Sequence, residues 1–365
     1  MKQFQVGIVG CGNISKIYLE QAKTFDILNV SAVADVDMNR AQAKAIEYQV
    51  RALTVDELLS DKEIDIILNL TPPAAHGSIA LSALAAGKSV YNEKPLAIDR
   101  EEAQKMLQIA QSKNLRVGCA PDTFIGAGLQ TCRKVIDQGL IGKPVAATAF
   151  MMGHGPERWH PDPEFFYKPG GGPLFDMGPY YLTALISLLG PIKRVSSMAR
   201  ISFPERMIGS EPKRGQTIKV ETPTHVSANL EFVSGVMATL ITSFDVWKSS
   251  VPRIEIYGSE GTLWAPDPNT FGGPVQIFKS SAKEWEEVNL IHWRSTNSRG
   301  LGVADMAHAS LTGRPHRANG EMAYHVLDIM HTILNASIQM KELEVKSTCS
   351  QPTPIPEGLP FNILE

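Results

Sequence analysis

The sequence lacks a hydrophobic run long enough to cross a bilayer. The longest, YYLTALISLLG at residues 180–190, falls well short of the roughly 20 apolar residues that a spanning helix needs. No signal peptide is legible. MKQFQVGIVGCG passes from a single Lys through a short apolar stretch into glycines instead of a small-residue cleavage site. Cysteine is scarce: Cys11, Cys119, Cys132 and Cys349 stand at no metal-like spacing, so reduced thiols are expected, with no disulfide framework and no metal. Neither sign of charge dominates. The net charge is -3, too little positive charge to track a phosphate backbone, so nucleic acid is not an expected partner. Internal repeats and low-complexity segments are also missing. What remains is an ordinary globular composition, 43% hydrophobic and 20% charged, expected to be cytoplasmic and not bound to a membrane. At 365 residues the chain exceeds the size at which one core keeps growing, which predicts two domains.

The first 120 or so residues alternate short apolar runs with helical patterns, as a parallel sheet with crossover helices does. QVGIVG, VSAVAD, IDIILNL, SVYNE and RVGCA read as strands. Ile14, Ile17 and Tyr18 mark one face of the first helix, and Thr54 with Glu57 and Asp99 with Glu102 read as capping boxes. The loop GCGNIS, residues 10–15, follows a strand and opens a helix. Gly10 permits the tight turn, Gly12 lets backbone approach a pyrophosphate, and Ser15 is small enough for close helix packing. An acidic residue, Asp35, stands about 20 positions further on, where a carboxylate can bond ribose hydroxyls and repel a 2′-phosphate. NAD is therefore expected over NADP, with Arg40 close enough to keep the choice open.

Beyond residue 120 the pattern changes. A helix through Leu129, Cys132, Val135 and Ile136, ended by Gly139, leads into β-rich runs: VAATAFMM, RVSSMARISF, THVSANLEF, VMATLITSFDVW, RIEIYGS and VQIFKS. FVSGVMATL reads as a hairpin turning at Ser234 and Gly235, and residues 204–222, rich in Pro and charge, as a solvated loop. Met322, Val326, Ile329, Met330 and Ile333 predict a long helix over about 320–338. The expected fold class is α/β: a Rossmann doubly wound parallel sheet over residues 1–122, then an α+β domain over 123–365 with an open-faced, mostly antiparallel sheet.

The segment LTPPAAHGSIALSALAAGKSVYNEKPLA, residues 70–97, closely resembles the glucose-fructose oxidoreductase, inositol dehydrogenase and rhizopine-catabolism family. The phosphate loop, Asp35, the Gly-rich stretch before Asp176 and the tail RGLGVADMAHASLTGRPHRANGEMAYHVLD extend the resemblance over most of the chain. It implies a nicotinamide-dependent oxidoreductase, transferring hydride on the CH–OH of a sugar, polyol or glycoside. A redox-neutral NAD-dependent glycosidase or epimerase is the alternative, and a non-catalytic NAD-binding regulator a more distant one. It also implies a homodimer or homotetramer paired through the open sheet.

Residue by residue, the resemblance makes Lys94, in Glu93-Lys94-Pro95, the catalytic Lys, with Glu93 orienting it. Asn13 and Ile14 join the glycines as cofactor contacts, and Thr71 and Pro72 fall where relatives line the nicotinamide, although a Pro pair is also a simple turn. His76, at the entry to the next helix, is a candidate for cofactor contact or for capping. Relatives commonly carry Asp-x-x-x-His where this chain has Asp176-Met177-Gly178-Pro179-Tyr180, so Tyr replaces the acid/base His, as in the glucose-fructose oxidoreductases and dimeric dihydrodiol dehydrogenases. Asp176 is expected as N-cap with Pro179 in the first turn. Tyr180 falls in register with Thr183, Ala184 and Ser187, and Tyr181 with Leu185 and Leu188, which points Tyr180 to a cleft and Tyr181 to the core. His154, Trp159 and His160, in GHGPERWHPDPEFFY, are expected to contact substrate, with the histidines as competing bases.

Overall fold

The computed structural model describes residues 2–292 and 294–357. The chain forms two compact units. The first holds the residues up to Gly126, Ile291–Leu327 and the segment that starts at Pro352; the second holds Ala127–Leu290 and Asp328–Gln351.

In the first unit the elements alternate strictly: β1 (Phe4–Val9), α1 (Ser15–Ala22), β2 (Leu28–Ala34), α2 (Met38–Tyr48), β3 (Arg51–Leu53), α3 (Val55–Ser60), β4 (Ile66–Asn69), α4 (Pro73–Ala85), β5 (Ser89–Asn92), α5 (Arg100–Ser112) and β6 (Val117–Cys119). Every pairing is parallel and the strand order is β3-β2-β1-β4-β5-β6. That order reverses between β1 and β4, the position where a doubly wound sheet opens a crevice at its carboxyl ends. Helices cover both faces of such a sheet, which explains why β4 is buried throughout and reads as a continuous apolar run. The box at Thr54 forms in both directions. Asp99 accepts from the N–H groups of Glu101 and Glu102, and the Glu102 carboxylate lies against Gly77 of α4.

The second unit begins with α6 (Ala127–Asp137) and β7 (Pro144–Met152), then α7 (Gly172–Asp176), α8 (Gly178–Leu189), β8 (Ile192–Arg200), β9 (Glu205–Met207), β10 (Thr217–Lys219), β11 (His225–Phe232), β12 (Met237–Ser243), β13 (Ile254–Gly258), β14 (Gly261–Ala265), β15 (Gln276–Lys279) and β16 (Glu286–Glu287). The chain then supplies α9 (Leu301–Thr312) to the first unit, runs through α10 (Gly320–Gln339), and closes with β17 (Leu343–Glu344). A nine-stranded sheet has the order β16-β15-β14-β13-β7-β12-β11-β8-β17 and is antiparallel except between β7 and β12. Along β11 the buried residues Val226, Ala228, Leu230 and Phe232 alternate with more exposed ones, because one face is covered by α6, α7 and α8.

Two expectations need correction. Residues 204–222 are not a solvated loop: β9 and β10 pair, and Ile208, Ile218 and Val220 pack with Phe166, Tyr167 and Phe244 in a small core. Apolar residues set singly among charges leave no period to read. The expected division at 122/123 also has the chain crossing once, whereas residues 291–327 return to the first unit. They are held there by the Asp122 carboxylate, which accepts from the N–H of Gly300 (2.9 Å) and of Gly302 (3.0 Å) ahead of and within α9, a contact far too distant in sequence for local patterns to reveal. Among the described residues no helix is long and apolar enough to cross a membrane.

Candidate active site

The phosphate loop is shaped by what its glycines permit. Gly10 has φ +102°, and a Cβ there would lie 2.7 Å from the backbone of Leu70, so both conformation and space demand glycine. A Cβ on Gly12 would meet nothing within 4 Å, which leaves the loop open above that position. The N–H groups of Gly12, Asn13 and Ile14 have no acceptor among the described residues. They are the orphan donors ahead of α1 that suit a phosphate. Ser15 is fully buried and its hydroxyl donates to the Gly12 carbonyl at 2.7 Å, which closes the turn. Asp35, at the end of β2, accepts from the N–H of Cys11 at 2.7 Å and of Asp37 at 2.9 Å. Its carboxylate therefore sits against the loop on its own unit. Burial and the neighbouring Asp35 push the Cys11 thiol up to about 11, so it is a packing group and not a nucleophile.

A second cluster joins the ends of β4 and β5. Asn69 and Asn92 are in register, fully buried, and bonded to each other at 3.1 Å. Asn69 also accepts from the Thr71 hydroxyl at 2.7 Å, and Asn92 donates to the Leu96 carbonyl at 2.8 Å. One amide pair thus fixes the turn after each strand, including both sides of Lys94. Glu93 accepts from the Tyr18 hydroxyl of α1 at 2.8 Å and from the backbone N–H of Lys94 at 2.9 Å. Its orienting contact with Lys94 runs through the main chain. Lys94 is half-buried.

His76 is engaged on both ring nitrogens within the first unit. Its ring is buried, with Nδ1 2.6 Å from the Pro95 carbonyl and Nε2 2.8 Å from the Thr71 carbonyl. It braces the two turns from behind and does not cap α4, which starts after Pro72. Burial lowers its pKa, favouring the neutral ring.

In the second unit the stretch GGGPLFDMGPYYL resolves into a short helix and a long one. Gly170 and Gly172 have positive φ, and a Cβ on Gly171 would lie 2.7 Å from the carbonyl oxygens of Phe165 and Phe166. The glycines let α7 pack directly on the loop that precedes it. Asp176 is the last residue of α7 and not an N-cap; Met177 caps α8 and Pro179 lies in its first turn. Every residue of α8 is buried, so exposure does not separate Tyr180 from Tyr181. Tyr181 has a hydrogen bond to the Arg253 side chain, and burial raises its pKa.

The loop of residues 153–167 is organised by charge beneath and rings above. Arg206, buried on β9, pairs with Glu157 at 3.0 Å and with Asp245. Glu157 also accepts from the Tyr167 hydroxyl, and Asp245 from that of Thr224 at 2.8 Å. Over this network His154 stacks on Trp247, and His160 packs edge-on against Trp159, Phe165 and Phe166. Neither Arg206 nor Trp247 stood out in the sequence. Asn69 and Asn92 left a faint signal, each closing an apolar strand.

A groove with a volume of about 1270 Å³ opens at the opposite, amino ends of the first sheet, lined by Lys62, Lys88, Arg116 and His316 among others. It holds none of the candidate residues, and ligands of such sheets bind at the carboxyl ends.

Residues 4–120 match the oxidoreductase family with an NAD-binding Rossmann fold, and residues 129–264 match the GFO/IDH/MocA C-terminal domain. The uncharacterized protein YMR315W of Saccharomyces cerevisiae is 31% identical over 280 residues, covering 72% of this chain and 74% of its own length. The chain belongs to the GFO/IDH/MocA family. It is an NAD-binding oxidoreductase, as the resemblance of residues 70–97 implied. Inositol 2-dehydrogenase of Salmonella typhimurium is 32% identical over 146 residues, covering 39% of this chain and 44% of that enzyme. In fold, levoglucosan dehydrogenase, solved with NADH and L-sorbose, superposes with a TM-score of 0.80 at 19% identity over 95% of this chain and all of that one.

Proposed function

We propose that the protein is an NAD-dependent dehydrogenase or reductase acting on a secondary alcohol or ketone of a sugar, polyol or glycoside. The substrate class is supported by the inositol 2-dehydrogenase and levoglucosan dehydrogenase relatives. The observation that carries the reading is the paired set of turns after β4 and β5, where Asn69 and Asn92 hold Thr71 and the Glu93-Lys94-Pro95 segment in one arrangement. Bound NAD supplies the hydride acceptor. Lys94 stabilises developing negative charge on the substrate oxygen, and Tyr180 takes the hydroxyl proton, or returns it in reduction, with Asp176 as its positioning partner. An ordinary Tyr titrates near pH 10, so proton acceptance at neutral pH needs a nearby cation, worth about one to three pKa units. Lys94 is the residue to which the family resemblance assigns that role. Gly10, Gly12, Asn13, Ile14 and Asp35 hold the dinucleotide, and His154, Trp159 and His160 contact substrate.

Tyr180→Phe is expected to lower kcat by about 10² to 10⁴ with NAD affinity near wild type. Full activity in Tyr180→Phe together with its loss in His160→Ala would move the proton to the loop histidine. NADH must accumulate in proportion to product; product without net NADH would make the enzyme redox-neutral.

The helix-free face of the nine-stranded sheet is the surface through which we expect a homodimer or homotetramer to form. Met198 and Met237 are 81% and 65% exposed on its strands, apolar area that a partner would remove from water. Light scattering at micromolar concentration should give a dimer or tetramer mass, and a monomer overturns the assignment.

A further inference from the structure

Trp247 is 72% exposed and Trp159 68% exposed, an uncommon placement for the largest apolar side chain unless something covers it in use. Trp247 is not loose. His154 lies against it with ring centroids 3.5 Å apart and planes 14° from parallel, and the Arg158 guanidinium carbon is 5.0 Å from the indole centroid. The backbone on either side is anchored, because Glu157, the immediate neighbour of Arg158, and Asp245, two residues from Trp247, share the buried Arg206. The charge above is unsatisfied by comparison. Among the described residues Arg158 and Lys248 have no ion-pair partner, since the two carboxylates nearest in sequence are committed to Arg206. An indole held rigid yet 72% exposed suits the C–H groups of a sugar ring, and a guanidinium over it with no ion-pair partner among the described residues suits a carboxylate or phosphate, which it can grip with two parallel N–H bonds.

We propose that Trp247, backed by His154, with the Arg158 guanidinium over its ring and Lys248 next to it in the chain, is a subsite for a sugar ring bearing an anionic group, either a carboxylate or a phosphate ester. The inference rests on the reading of the protein as a carbohydrate oxidoreductase and narrows its substrate class.

The experiment pairs D-glucose with D-glucuronate and with D-glucose 6-phosphate, and D-galactose with D-galacturonate, using the full chain with NAD. Tryptophan fluorescence reads binding and NADH absorbance reads turnover. The subsite requires at least one anionic sugar to bind about tenfold or more tightly than its neutral counterpart. Arg158→Gln should bring that affinity down to the neutral level, and Trp247→Ala should weaken the anionic sugar by about tenfold, with NAD titration as the control for folding. Whether the uronates or the phosphate ester show the preference identifies the anion. If no anionic sugar binds more tightly than its neutral partner, or if Arg158→Gln keeps the preference, the subsite is wrong. NADH formation from neutral sugars without that preference would sink the subsite and leave the dehydrogenase reading intact. Preferential binding with no NADH from any sugar would do the reverse.

Discussion

The candidate residues divide into two halves, one in each unit, and the halves are built from opposite materials. The half in the first unit is made of backbone: turns at strand ends, one of them at Gly10, which no other residue can replace, and neutral partners such as the Asn69–Asn92 pair and the His76 brace. In the second unit the half is made of side chains, a buried arginine between two carboxylates with aromatic rings above it. The pyrophosphate is common to NAD and NADP, so a backbone cradle serves it whatever the surrounding sequence. A substrate differs from enzyme to enzyme. Side chains on loops can be exchanged without disturbing a sheet, and a rigid ion network keeps such loops in one geometry.

The sharpest way to break that contrast is to remove the charge at its centre. In Arg206→Met, Glu157 and Asp245 remain buried without their cation, which costs about 3–5 kcal/mol. Urea titration should register the loss, and binding of NAD to the folded fraction should be unaffected. A loss below about 1 kcal/mol would mean that the network contributes little to holding the loop.

The first half is also the one that could be read in the sequence. Gly10, Gly12, Ser15 and Asp35 follow a spacing that a nucleotide loop imposes, and the strands around them are apolar runs of the right length. The helix at 320–338 and the hairpin at Ser234 and Gly235 were legible for the same reason, as local periods and turn residues. The second half was not. Arg206 lies 49 residues from Glu157 and 39 from Asp245, and a charged residue in a Pro-rich stretch looks solvated until its partners are known. Asp176 shows a subtler limit: Asp followed by Pro179 is a good N-cap pattern, yet the glycines at 170–172 start an earlier short helix that consumes it.

Acid response should sharpen the comparison next. In the first unit His316 receives the Arg116 guanidinium on Nδ1 at 3.3 Å and gives its Nε2–H to the Val117 carbonyl at 3.0 Å, the pattern of a neutral ring. Burial lowers its pKa to about 4 from the ordinary 6.5. Because the folded value lies below the unfolded one, the unfolded chain takes up the proton first. The stabilisation is therefore complete above about pH 6.5 and is lost as pH falls towards about 4. Between about pH 7 and about pH 5 this one group should cost on the order of 2 kcal/mol. His316→Gln should flatten the decline by that amount in thermal melts across the range. Parallel declines in variant and wild type would show that the ring is charged in the fold.

The smallest effect expected is the choice of dinucleotide, and it tests whether the backbone half discriminates at all. The Asp35 carboxylate is anchored by the N–H groups of Cys11 and Asp37, which fixes its negative charge at the end of β2. Arg40, a nearby residue that could have welcomed a 2′-phosphate, is exposed and lies 3.4 Å from Asp37, a carboxylate that competes for it. A fixed anion and an engaged cation both disfavour a second phosphate, so NAD should bind at least tenfold more tightly than NADP, about 1.4 kcal/mol. Asp35→Ser should narrow that ratio chiefly by weakening NAD, since the Cys11 N–H also loses its acceptor and the loop with it. Fluorescence titration of both dinucleotides against both proteins measures the four affinities directly. Equal affinities of the wild type for NAD and NADP would show that Asp35 serves only to hold the loop, and that the cradle recognises a pyrophosphate without reading the ribose.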